Sequence, residues 1–276
     1  MNSLLRLLDD RDASVRGKIR DELVASGEDA TPFLEIAALS ENPVLRKEAL
    51  SILEALLPIK TETRLRELGA SAEKETDLER GVCIIMQFGY PMAKDSIVSD
   101  ALDSLASEFS SQLPEQASQK EMAQRLLNFL FVEKGFKGND ADYMNPDNSF
   151  INKVLEDKLG IPISLSVLCV LVGQRLKLPI VGVGLPGHYI VKYASLTEPL
   201  YFDPFHDGRQ LTVDECRGIV ERMGYKFEEY HLGQATHRET LMRMLNNLIH
   251  TYFNRQMEDK AHQVENLLKA LVGAKD

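Results

Sequence analysis

Residues 160–193 read "GIPISLSVLCVLVGQRLKLPIVGVGLPGHYIVKY", and the change of pattern inside that stretch decides the fold class. Its first part, "LSVLCVLVGQRL", is apolar nearly all round, as a helix is when neighbours cover most of its faces. Pro162 suits the first turn of that helix, where a missing N–H has no partner to lose. Ser164, close behind it, can adopt end-capping geometry. "IVGVG", "HYIVKY" and, further on, "LYFDPF" are short, β-branched or aromatic runs separated by Gly or polar turns, and they read as antiparallel strands. A buried helix, a strand carrying His188 and a strand carrying Asp203 predict an α+β protein, mostly helical, with a small antiparallel sheet.

Upstream of this stretch, "GFKGNDADYMNPDNSF" (135–150) is rich in Gly, Asn, Asp and Pro and predicts a long loop. Loops of that length inside a compact domain are either functional or held by their own side chains. "INKVLEDKLG" resumes a helix and ends at Gly160, a residue suited to the C′ place. Residues 78–133 are helical in pattern, with "LERGVCIIMQF" and "EMAQRLLNFLFVE" as apolar helices and "GYP" and "QLPEQ" as breaks.

The first sixty residues hold a weak echo. "DRDASVRGKIRDEL" and "SENPVLRKEALSIL" each set a polar cluster before an apolar residue and an Arg, the pairs Val15-Arg16 and Leu45-Arg46 lying 30 residues apart. Leu23, Phe33, Leu34, Leu50, Leu53 and Leu57 recur at helical spacing, so this part resembles HEAT-type helical hairpins. "KTETRLRELGASAEKETD" (60–77) reads as the linker. After "LTVDECRGIVERMG", the run "ETLMRMLNNLIHTYFNRQMEDKAHQVENLLKAL" reads as a helical hairpin resembling one tetratricopeptide unit. The organisation expected is therefore a helical cap over 1–60, a core over 78–215 and a helical tail over 216–276. Both ends carry too few helices to bury their own apolar faces and should dock on the core.

Composition narrows the function classes. The chain has 276 residues, 44% of them hydrophobic, enough for a substantial core. Lys plus Arg total 32 against 42 for Asp plus Glu, a net charge of -10, so a phosphate backbone is repelled on average and nucleic acid is not an expected partner. No apolar run approaches the ~20 residues of a membrane span, and "MNSLLRLLDDRD" has no basic n-region, so the expectation is a cytoplasmic protein with no membrane association. Cys83, Cys169 and Cys216 stand far apart without CxxC spacing, which predicts neither a disulfide framework nor a zinc site.

Taken in order and spacing, "GFKGNDADYMNPDNSFINKVLEDKLGIPISLSVL", "LKLPIVGVGLPGHYIVKY", "YFDPFHDGRQLTVDEC" and "RMLNNL" resemble the SirB-type bacterial transglutaminase-like family, a papain-like core followed by a tetratricopeptide-like tail. The resemblance covers about two thirds of the chain, from about Leu78 to the end, and leaves the first sixty residues outside. It implies that His188 falls on the transglutaminase-like histidine and Asp203 on the acid that orients it. In catalytic relatives the nucleophile is a Cys at the helix start, where the helix dipole and a neighbouring imidazole make thiolate available. Counting back from "KLPI", that place falls on Pro162 or beside it, and proline has no nucleophile to offer.

Ser164 is the nearest hydroxyl. Activated by His188, with Asp203 fixing the ring, it would complete a Ser164-His188-Asp203 triad for hydrolysis or acyl transfer. Against this, two positions along a helix turn a side chain through about 200°, and a serine hydroxyl is far less acidic than a thiol, so capping is the competing role. His188 and Asp203 are equally readable as a retained structural pair, because a buried imidazole needs an acceptor. Cys169, deep in the apolar helix, reads as core. Asp140, Asp142, Asn145, Asp147 and Asn148 lack the EF-hand spacing and read as turn-formers; His206 and Asp207 read as an exposed turn. No cofactor and no metal set is expected. The function that follows is a degenerate, non-catalytic transglutaminase-like module that binds a protein or peptide in a groove lined by Pro162, Asn145, Asn148 and Tyr189. The alternatives are the Ser164 enzyme and a structural scaffold.

Overall fold

Helices cover both faces of a small sheet in the computed structural model, which describes residues 2–5, 7–10, 12–70, 76–114 and 116–273. The chain opens with α1 (Asn2–Leu5), α2 (Ala13–Ala25), α3 (Thr31–Ala37) and α4 (Pro43–Ala70). Asp12 caps α2 by accepting the Ser14 N–H at 2.8 Å, and Asn42 caps α4 by accepting that of Val44 at 3.0 Å. Leu8, Leu23, Leu34, Ala49 and Ile52 meet in a small core of their own.

Where a linker was expected at 60–77, α4 instead continues to Ala70, and residues 71–75 lie outside the described part. Thr61, Leu65 and Leu68, spaced on one helical face, are buried, and Leu65 and Leu68 belong to the main core. The charged residues between them had masked that stripe.

The central region comprises α5 (Leu78–Gly89), α6 (Asp95–Ser111), α7 (Gln119–Asn128), β1 (Lys137–Gly138), α8 (Ile151–Asp157), β2 (Leu159–Gly160), α9 (Pro162–Arg175), β3 (Ile180–Leu185), β4 (His188–Tyr193), β5 (Leu200–Asp203), β6 (Arg209–Leu211) and α10 (Val213–Arg222). Every residue of α9 from Pro162 to Gly173 is buried, as its all-round apolarity requires. The sheet is antiparallel in the order β3-β4-β5-β6, with Leu185 opposite His188, Val191 opposite Phe202 and Asp203 opposite Arg209. A second, parallel pair joins β1 to β2, Lys137 opposite Leu159. Neither that pair nor β6 is long enough to leave an alternating signature in the sequence.

The sheet is covered on two faces. Tyr189, Val191 and Phe202 enter the main core with Val167, Leu168 and Leu171 of α9. Val183, Leu185, Ile190 and Tyr201 pack with Cys216, Ile219 and Val220 of α10. The expected boundary at 215/216 therefore falls inside α10, whose apolar face belongs to the sheet. Last come α11 (His237–Asn254) and α12 (Glu258–Val272), whose Leu241, Met244, Leu248, Val264, Leu267 and Leu271 join the main core. The backbones of α4 and α12 touch at Gly69, where a Cβ would fall 2.1 Å from the Leu271 carbonyl oxygen. No helix among the described residues is long and apolar enough to cross a membrane.

Candidate functional site

Proline fixes the backbone at the start of α9 and supplies no hydrogen bond, so the helix is anchored by the third residue along. The Ser164 hydroxyl accepts the Ile161 N–H at 3.0 Å and donates to the Asn148 carbonyl at 2.6 Å, with the Ile161 carbonyl at 3.1 Å. The side chain is almost completely buried and ties the helix to the loop before α8. Ser164→Ala should therefore leave a buried donor and a buried acceptor without partners and cost about 1–3 kcal/mol in urea unfolding. A loss within experimental error would show that water or relaxation replaces the hydroxyl.

His188 and Asp203 meet at the ends of β4 and β5. His188 Nε2 lies 3.0 Å from Asp203 Oδ1, a good hydrogen bond. The chain then turns sharply: Phe205 N and His206 N point back at the same oxygen, at 3.2 and 3.4 Å. That turn brings His206 Nδ1 to 2.7 Å from Asp203 Oδ2. Burial raises the Asp203 carboxyl pKa, but the hydrogen bonds and charge of His188, then those of His206, outweigh it and hold the group below its ordinary value. Asp203 is thus an ionised acceptor shared by two imidazoles. Phe205 stands edge-on to both rings, with centroids 6.4 Å from His188 and 5.2 Å from His206. The sequence places His206 in an exposed turn, and its side chain is exposed, yet it is also tied to the buried acid. The Asp-x-x-His spacing of "DPFH" was the available signal, since an Asp at a turn start faces the residue three on.

The loop over 135–150 is held by its own amides. Asn139 Nδ2 donates to Asn148 Oδ1 at 2.9 Å, Asn148 Nδ2 donates to the Asp142 and Tyr143 carbonyls at 2.8 and 3.1 Å, and Asn145 Oδ1 accepts the Asp147 N–H at 3.1 Å. Asp142 pairs with Arg255 and Asp147 accepts from Tyr90, so the residues just past the ends of α11 and α5 clamp the loop from outside.

A cleft of about 390 Å³ opens beside the sheet, walled by Gly184, Tyr189, Tyr230, Gln234, Glu239 and Arg243. Of the residues expected to line a groove, Tyr189 is one of its walls; Pro162, Asn145 and Asn148 are not, and Pro162 and Asn148 are buried. The Tyr189 ring crosses Gly182, and its hydroxyl meets Thr240 Oγ1 of α11 at 2.8 Å. Burial pushes the Tyr189 phenol up to about 12 against the lowering pull of Thr240 and of Arg243. Arg243 is half-buried and acts on Tyr143 as well, and Tyr143 packs edge-on to Phe205 at 5.8 Å. No hydrogen bond or ion pair joins Arg243 to another described residue. Sequence reasoning missed Arg243, which is one of several charges on an amphipathic helix.

The helix, His strand and Asp strand coincide with a family match. The family model of the Transglutaminase-like superfamily matches residues 97–246, more than half of the chain. The chain belongs to that superfamily, within its SirB-type family. A UPF0162 protein of Xylella fastidiosa (strain 9a5c) is 37% identical over 150 residues, 52% of this chain and 53% of that protein. Protein SirB1 of Salmonella typhimurium is 28% identical over 180 residues, 62% of this chain and 65% of that protein. F-box only protein 21 of Mus musculus is 30% identical over 163 residues, 56% of this chain and 25% of that protein. The chain spans about half the length of the first of these relatives. No solved structure matches.

Within this SirB-type domain the three thiols are all buried. Burial, then the charges of Asp95 and Glu79, pushes Cys83 up to about 12. Burial, then Glu215 and Asp203, pushes Cys216 up to about 11, and burial alone raises Cys169 strongly. The thiolate is the reactive form, so native protein at pH 8 should take up no iodoacetamide while urea-unfolded protein takes up three equivalents, one per cysteine. Rapid native labelling of any cysteine, read by mass spectrometry, would show an exposed or activated thiol.

Proposed function

We propose that this transglutaminase-like domain acts without a nucleophile, as a module that binds a protein or peptide segment in the cleft beside Tyr189. The observation that carries the reading is at the start of α9, where the Ser164 hydroxyl is spent on Asn148 and Ile161; the resemblance puts the nucleophile's place at Pro162 or beside it. On this reading neither Pro162 nor Ser164 gives His188 a group to activate. Supporting a binding role, Tyr230 and Tyr189 offer aromatic walls, and Arg243 offers a guanidinium that forms no ion pair with another described residue. A carboxylate-bearing peptide, from an acidic side chain or a chain end, matches that chemistry through a bidentate pair.

The test is selection of a displayed random-peptide library on the full chain. Acidic peptides whose binding is lost in Arg243→Ala and Tyr230→Ala support the reading; selection yielding no cleft-dependent peptide counts against it. The competing reading, hydrolysis or acyl transfer through Ser164, rests on the 3.0 Å His188–Asp203 contact. Stoichiometric fluorophosphonate labelling of Ser164, abolished by His188→Ala, would establish that chemistry and displace the binding role.

A further inference from the structure

Two imidazole nitrogens and a carboxylate converge where β4, β5 and the turn after Asp203 meet. We propose that His188, Asp203 and His206 form a binding site for a divalent transition-metal ion of the zinc class. One ring nitrogen of His188, one of His206 and a carboxylate oxygen of Asp203 all lie within 4.8 Å of one another; His188 Nε2 is 3.0 Å from Asp203 Oδ1 and His206 Nδ1 2.7 Å from Asp203 Oδ2. The ligand types fit: two imidazoles and a carboxylate suit Zn²⁺, Co²⁺, Ni²⁺ or Cu²⁺, whereas Mg²⁺ and Ca²⁺ prefer oxygen donors throughout.

The surroundings are those of a supported ligand set. The Asp203 carboxylate is fixed by the Phe205 and His206 amides, so its oxygens are aimed before any ion arrives. The Phe205 ring walls both imidazoles. The side chain of Asp203 is 1% exposed and that of His188 10%, while His206 is 55% exposed, so the set is closed behind and open in front. Three protein ligands with one accessible direction leave a position for water or an exogenous ligand, the pattern of an open site.

Binding requires limited change. An ionised carboxylate only accepts, so each ring presents an N–H to Asp203; to ligate through that nitrogen a ring must leave it unprotonated and carry its proton on the other nitrogen. Tetrahedral ligands at roughly 2.0–2.1 Å from a metal stand about 3.4 Å apart. The two imidazole–carboxylate contacts, 3.0 and 2.7 Å, must therefore open by a few tenths of an ångström, and His206, 55% exposed on a turn, is the least enclosed member.

The test uses the full chain, stripped with chelator and titrated with Zn²⁺ by calorimetry and with Co²⁺ by visible absorption. One equivalent of Zn²⁺ is expected, with a Co²⁺ spectrum of low coordination number and a raised melting temperature. His206→Asn keeps a donor for Asp203 Oδ2 but removes the ligand, and should weaken binding by at least about tenfold. His188→Ala should do the same, while His250→Ala leaves binding unchanged. Absence of binding at micromolar Zn²⁺, or binding that both His206→Asn and His188→Ala retain, overturns the site.

Discussion

Replacing Asp203 with alanine is expected to lower stability by on the order of 3 kcal/mol. The carboxylate receives two imidazoles, at 3.0 and 2.7 Å, and two backbone amides, at 3.2 and 3.4 Å, in a setting where it is fully buried. Alanine leaves His188 and the Phe205 amide buried without an acceptor, and each such orphan costs about 1–3 kcal/mol. For a chain of this size the melting temperature should fall by roughly 6–12 °C. Asp203→Asn, which keeps the volume and one acceptor oxygen, should fall between. His188→Ala should cost less than Asp203→Ala, because the acid keeps His206 and both amides. Thermal melting followed by near-ultraviolet circular dichroism orders the three variants; an Asp203→Ala protein as stable as the parent would remove the acid from the centre of the fold.

The second large effect comes from a missing side chain. A Cβ on Gly182 would sit 2.3 Å from the Tyr189 hydroxyl oxygen and 2.9 Å from its Cε1, distances no real Cβ tolerates. Gly182→Ala must push the ring off β3 and break its hydrogen bond to Thr240, at a cost of about 1–3 kcal/mol. The cleft loses a wall in the same step. A double-mutant cycle isolates the cause: once Tyr189→Ala has removed the ring, Gly182→Ala should be nearly neutral. Equal losses in both backgrounds would place the cost in the strand backbone instead.

Much of the core could be read from residue pattern because its signals are local. The all-round apolarity of "LSVLCVLVGQRL" and the β-branched runs around His188 each state their own burial. The pairing of His188 with Asp203 needed one step more, the order of strands in an antiparallel hairpin. What was not legible depends on contacts between distant segments. Leu65 and Leu68 are core residues because α12 lies against them, and the charges between them read as a linker. The two-residue strands β1 and β2 exist only as each other's partner. Arg243 acts electrostatically on both Tyr143 and Tyr189, which come from a loop and a strand remote from it in sequence. His206 sits between these cases, since its turn was foreseen and its attachment to Asp203 was not.

The 28 residues of α4 cover about 42 Å of helix, with Pro58 inside it. One end is seated among Leu34, Ala49 and Ile52, the other against α12, and Pro58 falls between the two seats. A proline there removes one rung of the helical ladder, so a bend between the seats concentrates at that point. The amino-terminal helices are thus joined to the α11–α12 pair by a single helix with one weak point, and α11 is the helix that carries Arg243 and Thr240 to the cleft.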